Sequence, residues 1–196
     1  MKTILVTGFE PFPGMPVNPT ALLIERLPRR VARHRGTEFR YNLLPTTWSA
    51  RETVTARLRE EIAPSAIVHL GVDGQRRTVN VETRAVNRAT RVRPDADGLH
   101  AGTTPLDPSG PHARFSSLPV RALRDAAARS GVPANISRNA GDYLCNATLW
   151  DSIASGIPSV FIHVPSLPRS KTDPRPSLQR IEAGIVQILK EVANRI

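Results

Sequence analysis

Cys145 is the only cysteine in a chain of 196 residues, and it lies in the run Ser137-Arg138-Asn139-Ala140-Gly141-Asp142-Tyr143-Leu144-Cys145-Asn146. An apolar, helix-like stretch from Ala147 to Ile153 follows at once. A small-residue turn with a thiol at the mouth of a helix suits nucleophilic chemistry. The first turn of a helix offers unpaired N–H groups and the positive end of the macrodipole. Such surroundings lower a thiol pKa from about 8.5 to roughly 3.5–7.5, which favours the reactive thiolate. Many lone cysteines are small buried hydrophobes. Here the Ala-Gly pair before the thiol and Asn146 after it are not core chemistry, so Cys145 reads as a nucleophile.

A cysteine hydrolase also needs a base that takes the thiol proton and later gives it to a leaving amine, and a third group that orients that base. The chain has five histidines. His34 lies in an arginine-rich stretch, and His100 and His112 lie in a long Pro- and Gly-rich segment. Only His69 and His163 stand near the ends of apolar runs, where open α/β sheets place their ligand sites. Pro165 turns the chain out of its strand just after His163 and favours that residue. His69, followed by Leu70-Gly71, fits equally well as a hydrogen-bonded core histidine. Glu82 is the sole acid between Thr78 and Asn87, among Val79, Val81, Ala85 and Val86. It is either a buried orienting carboxylate that needs a partner or a solvent-facing mate of Arg84 or Arg88.

The elements that must position these residues alternate β-like and helix-like runs, the signature of a mostly parallel sheet covered on both faces. Thr3–Val6 reads as the first strand. Asn18-Pro19 supplies a cap and a first-turn proline for a helix with Ala21, Leu22, Ile24 and Leu27 on its apolar face. Phe39–Leu44 reads as a strand and Thr47–Ile62 as a helix. Ala66–Gly71 and Ser159–Pro165 are continuous apolar runs of the buried parallel kind. Thr78–Asn87 looks extended, Val120–Ala128 helical, and Asn135–Ser137 a short strand. Leu144–Ser155 is the helix that carries the cysteine. Leu178, Ile181, Ile185, Ile188, Val192 and Ile196 mark a C-terminal amphipathic helix. Residues 93–119 have almost no periodicity, and connections that long serve as lids or interface elements or are disordered. With no repeat and no linker, residues 1–196 form one α/β domain, a three-layer α/β/α arrangement around a twisted sheet.

Composition narrows the function classes. The net charge is +10, yet aromatics are only 5% and the arginines are scattered, so specific nucleic-acid binding is not expected. No apolar run is long enough to span a membrane. The Met1–Gly8 segment lacks the build of a signal peptide, and one cysteine cannot form an internal disulfide, so a cytoplasmic protein is the expectation. With no second thiol and no His-Glu-x-x-His, neither metal nor cofactor is expected.

Four motifs in order carry a resemblance along essentially the whole chain. They are Val6-Thr7-Gly8-Phe9-Glu10-Pro11-Phe12 with Val17-Asn18-Pro19, Glu82-Thr83-Arg84-Ala85-Val86-Asn87, Ala140-Gly141 with Leu144-Cys145-Asn146, and Phe161-Ile162-His163-Val164-Pro165. The chain resembles the pyrrolidone carboxyl peptidases, or pyroglutamyl peptidase I, a family of cysteine exopeptidases. The resemblance implies a Cys145–His163–Glu82 triad that removes N-terminal pyroglutamate from peptides through a thioester. It implies substrate contacts from Phe9, Phe12 and Asn18, and an arginine near the oxyanion at Arg91 or Arg93, with Arg91 preferred. It also implies a homo-oligomer, dimer or tetramer. Pro13 departs from the glycine usual after Phe12, and Gly71–Gln75 matches only loosely.

Two other functions fit parts of the sequence. A glutaminase-like amidohydrolase would use the same nucleophile but would need polar groups for a free amino acid, which Phe9 and Phe12 do not supply. A basic binding protein would leave Cys145 inert.

Overall fold

A computed structural model describes all 196 residues. In chain order the elements are β1 (Lys2–Phe9), α1 (Pro19–Arg30), β2 (Arg33–His34), β3 (Thr37–Leu44), α2 (Trp48–Ile62), β4 (Ala66–Val72) and β5 (Val79–Glu82). They continue with β6 (Arg84–Val86), β7 (Ala113–Phe115), α3 (Val120–Arg129), β8 (Ala134–Ser137), α4 (Leu144–Ala154), β9 (Ser159–Val164) and α5 (Leu178–Ala193). Seven strands make the main sheet in the order β2-β3-β1-β4-β9-β5-β8. Strands β3, β1, β4 and β9 run parallel, whereas β5 lies antiparallel to β9 and carries β8 parallel to itself. No helix is long and apolar enough to cross a membrane.

The central strands β4 and β9 are the two continuous apolar runs, and β9 is buried along its whole length. A strand covered on both faces cannot alternate apolar with polar residues, so its run stays apolar. One sheet face presents Ile4, Val6, Val68, Leu70, Val79, Val81, Val160 and Ile162 to α1, α3 and α5, and this side forms the larger core. The opposite face packs Leu5, Phe9, Ile67 and Phe161 against Leu58 of α2 and Leu149 and Trp150 of α4. Register places the chemistry on this second face. Thr7 pairs with His69, His69 with Phe161, Gly71 with His163, and Asn80 with His163. Cross-strand partners share a face, so the polar row runs over the side that α4 covers.

The sequence signals at the helix ends hold. Asn18 Oδ1 accepts the Thr20 N–H at 3.0 Å and Pro19 opens α1. Thr47 caps α2 by accepting the Ala50 N–H at 3.1 Å.

Two segments differ from expectation. The stretch 78–87 is not one strand but two. Its first half, β5, sits in the main sheet, and at Thr83 the chain turns away so that β6 pairs antiparallel with β7. Thr83 fastens this corner by donating both its N–H and its hydroxyl to the Ser137 carbonyl, at 2.8 and 3.0 Å. Residues 93–119 are likewise more ordered than their composition suggests, since β7 lies among them. Buried Asp95 organises the first part, accepting the N–H groups of Trp48, Asp97 and Leu99 at 2.8–2.9 Å. Non-local partners of this kind leave no periodic trace in sequence.

His69 is a core histidine. Its Nδ1 stands 2.6 Å from Thr7 Oγ1 and its Nε2 2.8 Å from Ser152 Oγ, so both ring nitrogens are occupied. Burial, with help from the Arg59 charge, pushes its pKa down to about 3. The unfolded chain binds a proton near pH 6.5 that the folded ring refuses. His69 therefore supports the fold fully above that pH and loses this support as pH falls towards 3. Urea unfolding at a series of pH values should show this slope in the wild type, and His69→Gln should flatten it while lowering stability throughout. A second test concerns Gly8. A Cβ there would lie 2.7 Å from Ile24 Cγ1 and 2.8 Å from the Thr20 carbonyl oxygen. Gly8→Ala should thus cost about 1–3 kcal/mol, measurable as a lower urea midpoint.

Candidate active site

Gly141, at φ +81°, takes the left-handed turn that leads the chain into α4. Tyr143 occupies the cap position without a side-chain cap bond, and the first helical bond runs from the Ala147 N–H to the Tyr143 carbonyl. The N–H groups of Leu144, Cys145 and Asn146 precede that bond and stay available. Asn146 is fully buried and works as a clamp. It accepts the Val86 N–H at 2.8 Å and donates to the Val86 and Arg88 carbonyls at 2.8 and 3.0 Å. The helix start is thereby fixed to β6, the strand that continues from Glu82 and Thr83.

Cys145, half-buried, projects from this first turn over the end of β4. A Cβ built on Gly71 would come within 3.0 Å of its sulfur and 2.5 Å of the Phe161 ring. Gly71 is therefore required by close approach, since any larger residue displaces the thiol or the ring. The next strand carries His163, which is 4% exposed and has its ring centroid 4.7 Å from that of Phe161. The strand after that brings Glu82, with no exposed surface at all. His163 Nδ1 stands 2.9 Å from Glu82 Oε1, leaving Nε2 for the sulfur. Burial alone would lower the His163 pKa, but the Cys145 sulfur and the Glu82 carboxylate outweigh it and raise the value to about 9. The imidazolium form thus persists well above neutrality.

Glu82 has a second cation beside it that the sequence did not reveal. Arg76 Nη2 lies 3.1 Å from Glu82 Oε1. The same guanidinium donates to Asp73 Oδ2 at 2.8 Å and to the Asn139 carbonyl at 2.7 Å. Burial would raise the Asp73 carboxyl, yet Arg76 and the Gln75 N–H hold it below the usual carboxylate range. Arg76 lies just after the loosely matching segment Gly71–Gln75, in the loop that follows β4. Its only signal in sequence is a basic residue following a strand that ends at the reactive edge.

The remaining expected site residues are spread more widely. Phe9 is buried in the core beside Phe161, with ring centroids 6.3 Å apart. Phe12 stands half-buried on a tight turn closed by two backbone bonds with Met15, and Pro13-Gly14 form its corner. A proline followed by a glycine at φ +88° suits a type II turn. Asn18 is 1% exposed, and its amide is taken up by the Glu10 carbonyl and by Thr20. It shapes the Phe9–Pro19 loop from within and presents no free group to a ligand. Arg91 and Arg93 are both exposed, and Arg93 has its guanidinium carbon 5.4 Å from the Tyr143 ring centre, next to the start of α4. The Tyr143 hydroxyl donates to the Pro94 carbonyl at 2.8 Å, and burial pushes its pKa up to about 12.

A thiol at a helix N-terminus, a histidine beside it and a buried carboxylate behind the histidine are therefore brought together from three elements. Known proteins share the whole framework. The family model described as pyroglutamyl peptidase matches residues 2–193. The pyrrolidone-carboxylate peptidase of Gloeobacter violaceus is 36% identical over 170 residues, covering 84% of this chain and 82% of that protein. That of Thermococcus kodakarensis is 33% identical over 198 residues, covering 96% and 95%. Among solved structures, pyrrolidone carboxyl peptidase from Thermococcus litoralis superposes with a TM-score of 0.88 at 28% identity, over 99% of this chain and 94% of that one. Bacillus amyloliquefaciens pyroglutamyl peptidase I gives 0.88 at 26% identity, over 99% and 98%. With its fold and nearly its full length matched, the chain belongs to the pyroglutamyl peptidase family.

Proposed function

We propose that this protein hydrolyses the amide bond after an N-terminal pyroglutamyl residue, with Cys145 as nucleophile, His163 as general acid and base, and Glu82 as the group that orients and charges His163. The observation that supports this best is His163, held between a fully buried carboxylate and the sulfur at the head of α4.

The Cys145 sulfur, its proton already held on the His163 imidazolium, attacks the pyroglutamyl carbonyl carbon. The C–N bond then breaks, His163 Nε2 passes that proton to the departing amine, and a thioester remains. Water, deprotonated by His163, attacks the thioester carbon and releases pyroglutamate and the free thiol. The oxyanion formed in both halves needs donors placed in advance. The Cys145 N–H precedes the helical bonding pattern and has no backbone partner, so it is free to donate. Of the two arginines that fit the oxyanion role by sequence, Arg93 packs over Tyr143, the cap residue of α4. The lactam ring is flat, uncharged and without an α-ammonium, so its recognition calls for apolar surface and few hydrogen bonds. Phe12 on its turn is suited to that work, while Phe9 is buried in the core beside Phe161. Our reading extends to a cytoplasmic homo-oligomer, supported by the exposed Leu99 and Phe115 on segment 93–119.

Release of a fluorescent amine from pyroglutamyl-amide, beside alanyl-, prolyl- and glutaminyl-amides, tests the reading. Cleavage of the pyroglutamyl compound alone is expected. Cys145→Ser and His163→Ala should each abolish it, and Glu82→Gln should lower kcat by about 10²-fold or more, since the imidazolium loses its counter-charge. A folded, reduced protein that cleaves none of these, or cleaves glutaminyl-amide instead, would overturn it.

A further inference from the structure

A cavity of about 430 Å³ opens between the loops that follow β4 and β9, lined by Gln75, Arg76, Arg77, Arg169, Asp173 and Arg175 among others. Four guanidinium groups meet one carboxylate there. Two of the four are tied down. Arg175 donates to Asp173, with Nε 2.9 Å from Oδ1, and also to Ser166. Arg76 is held by Asp73, Asn139 and Glu82. Arg77 and Arg169 are exposed and form no ion pair, so the cavity carries an uncompensated positive charge.

Its position gives that charge a use. Arg76 lines the cavity and touches Glu82, which in turn touches His163. Across the sheet the order is Cys145 over the end of β4, then His163 on β9, then Glu82 on β5. A histidine that protonates the leaving amine must have that amine on its own side of the sulfur. The departing peptide therefore extends from Cys145 towards β9 and the loop after it, where the cavity lies. The pyroglutamyl ring is neutral, so any charge on the substrate belongs to this departing part.

We infer that the arginine cavity is a subsite for a carboxylate on the leaving peptide, with Arg77 and Arg169 as the groups that meet it. Guanidinium binds carboxylate through two parallel N–H···O bonds, which a point charge cannot reproduce. Arg76 and Arg175, immobilised by their own partners, form the rigid wall. The carboxylate is either the free C-terminus of a short peptide or an acidic side chain next to the scissile bond. Both offer the same planar anion. The selectivity is thus for acidic over basic leaving groups, and it rests on the pyroglutamyl peptidase reading above.

The test is kcat/KM for four peptides, pyroglutamyl-alanine, pyroglutamyl-alanine amide, pyroglutamyl-glutamate amide and pyroglutamyl-lysine amide, on the wild type and on Arg77→Gln/Arg169→Gln. Each protein is judged by ratios among its own substrates, so a general loss of activity cancels. In the wild type at least one acid-bearing peptide should exceed the lysine amide by about 10-fold, mainly through KM. The double variant should bring that ratio close to one. Salt should do the same, because the screening length falls from about 10 Å at 0.1 M to about 3 Å at 1 M. The free-acid and glutamate arms identify which carboxylate the site takes. A wild-type ratio near one for both acids, or a ratio that survives in the double variant, overturns the subsite while cleavage of the neutral amide keeps the parent reading intact. No cleavage of any peptide by the wild type overturns both.

Discussion

A carboxylate without access to water has to be matched by positive charge or be neutralised, because its desolvation is not otherwise recovered. Glu82 is such a group, and it sits at the end of a strand in the middle of the fold. Its Oε1 faces both His163 and Arg76. The arrangement requires β5 to lie beside β9 and to run against it, a reversal in a mostly parallel sheet whose other antiparallel pair is β2 with β3 at the far edge. That reversal sets Asn80 opposite His163 and carries Glu82 to the level from which it meets the imidazole. The turn at Thr83 then sends the chain to Asn146, which locks the start of α4. One buried charge thus fixes the strand order, the orientation of the histidine and, through the following residues, the place of the thiol.

The same sheet face is divided by polarity. Near its middle, Thr7, His69 and Ser152 close a hydrogen-bonded row in which the imidazole is neutral. Two residues further along each strand, at the C-terminal edge, His163 is favoured as a cation. The two histidines are close in sequence setting, each within an apolar strand, yet their charge states are opposite. Only one has an anionic neighbour. Hydroxyl partners satisfy a buried imidazole without charging it, whereas a carboxylate and a sulfur hold the proton on it.

Much of this was legible in sequence because it depends on local signals. The unbroken apolar runs around Val68 and Phe161 announce buried parallel strands, and Asn18-Pro19 announces a helix start. Cys145 after Ala-Gly announces a thiol in a first helical turn. Glu82 stayed ambiguous by pattern, since a partner eighty residues away leaves no mark on a period of two. The resemblance to a known family named it. What escaped were the non-local features: the corner at Thr83, the pairing of β6 with β7, the hub at Asp95, and Arg76 behind Glu82. Asn18, which the resemblance implies as a substrate contact, is buried and bonds through its amide to the Glu10 carbonyl and to Thr20 inside the loop. Asn146, which beside the thiol looks unlike core chemistry, is a fully buried clamp on β6.

The most direct measurement is the titration of the His163 imidazole by nitrogen NMR in histidine-labelled protein, assigned by its absence in His163→Gln, for the wild type and Glu82→Gln. If Glu82 charges His163, the ring stays protonated into the alkaline range with a midpoint about 9, and the midpoint falls when the carboxylate becomes an amide. A midpoint near the ordinary 6.5 in both proteins would mean that the buried carboxylate does not govern the histidine, and would contradict the mechanism built on it.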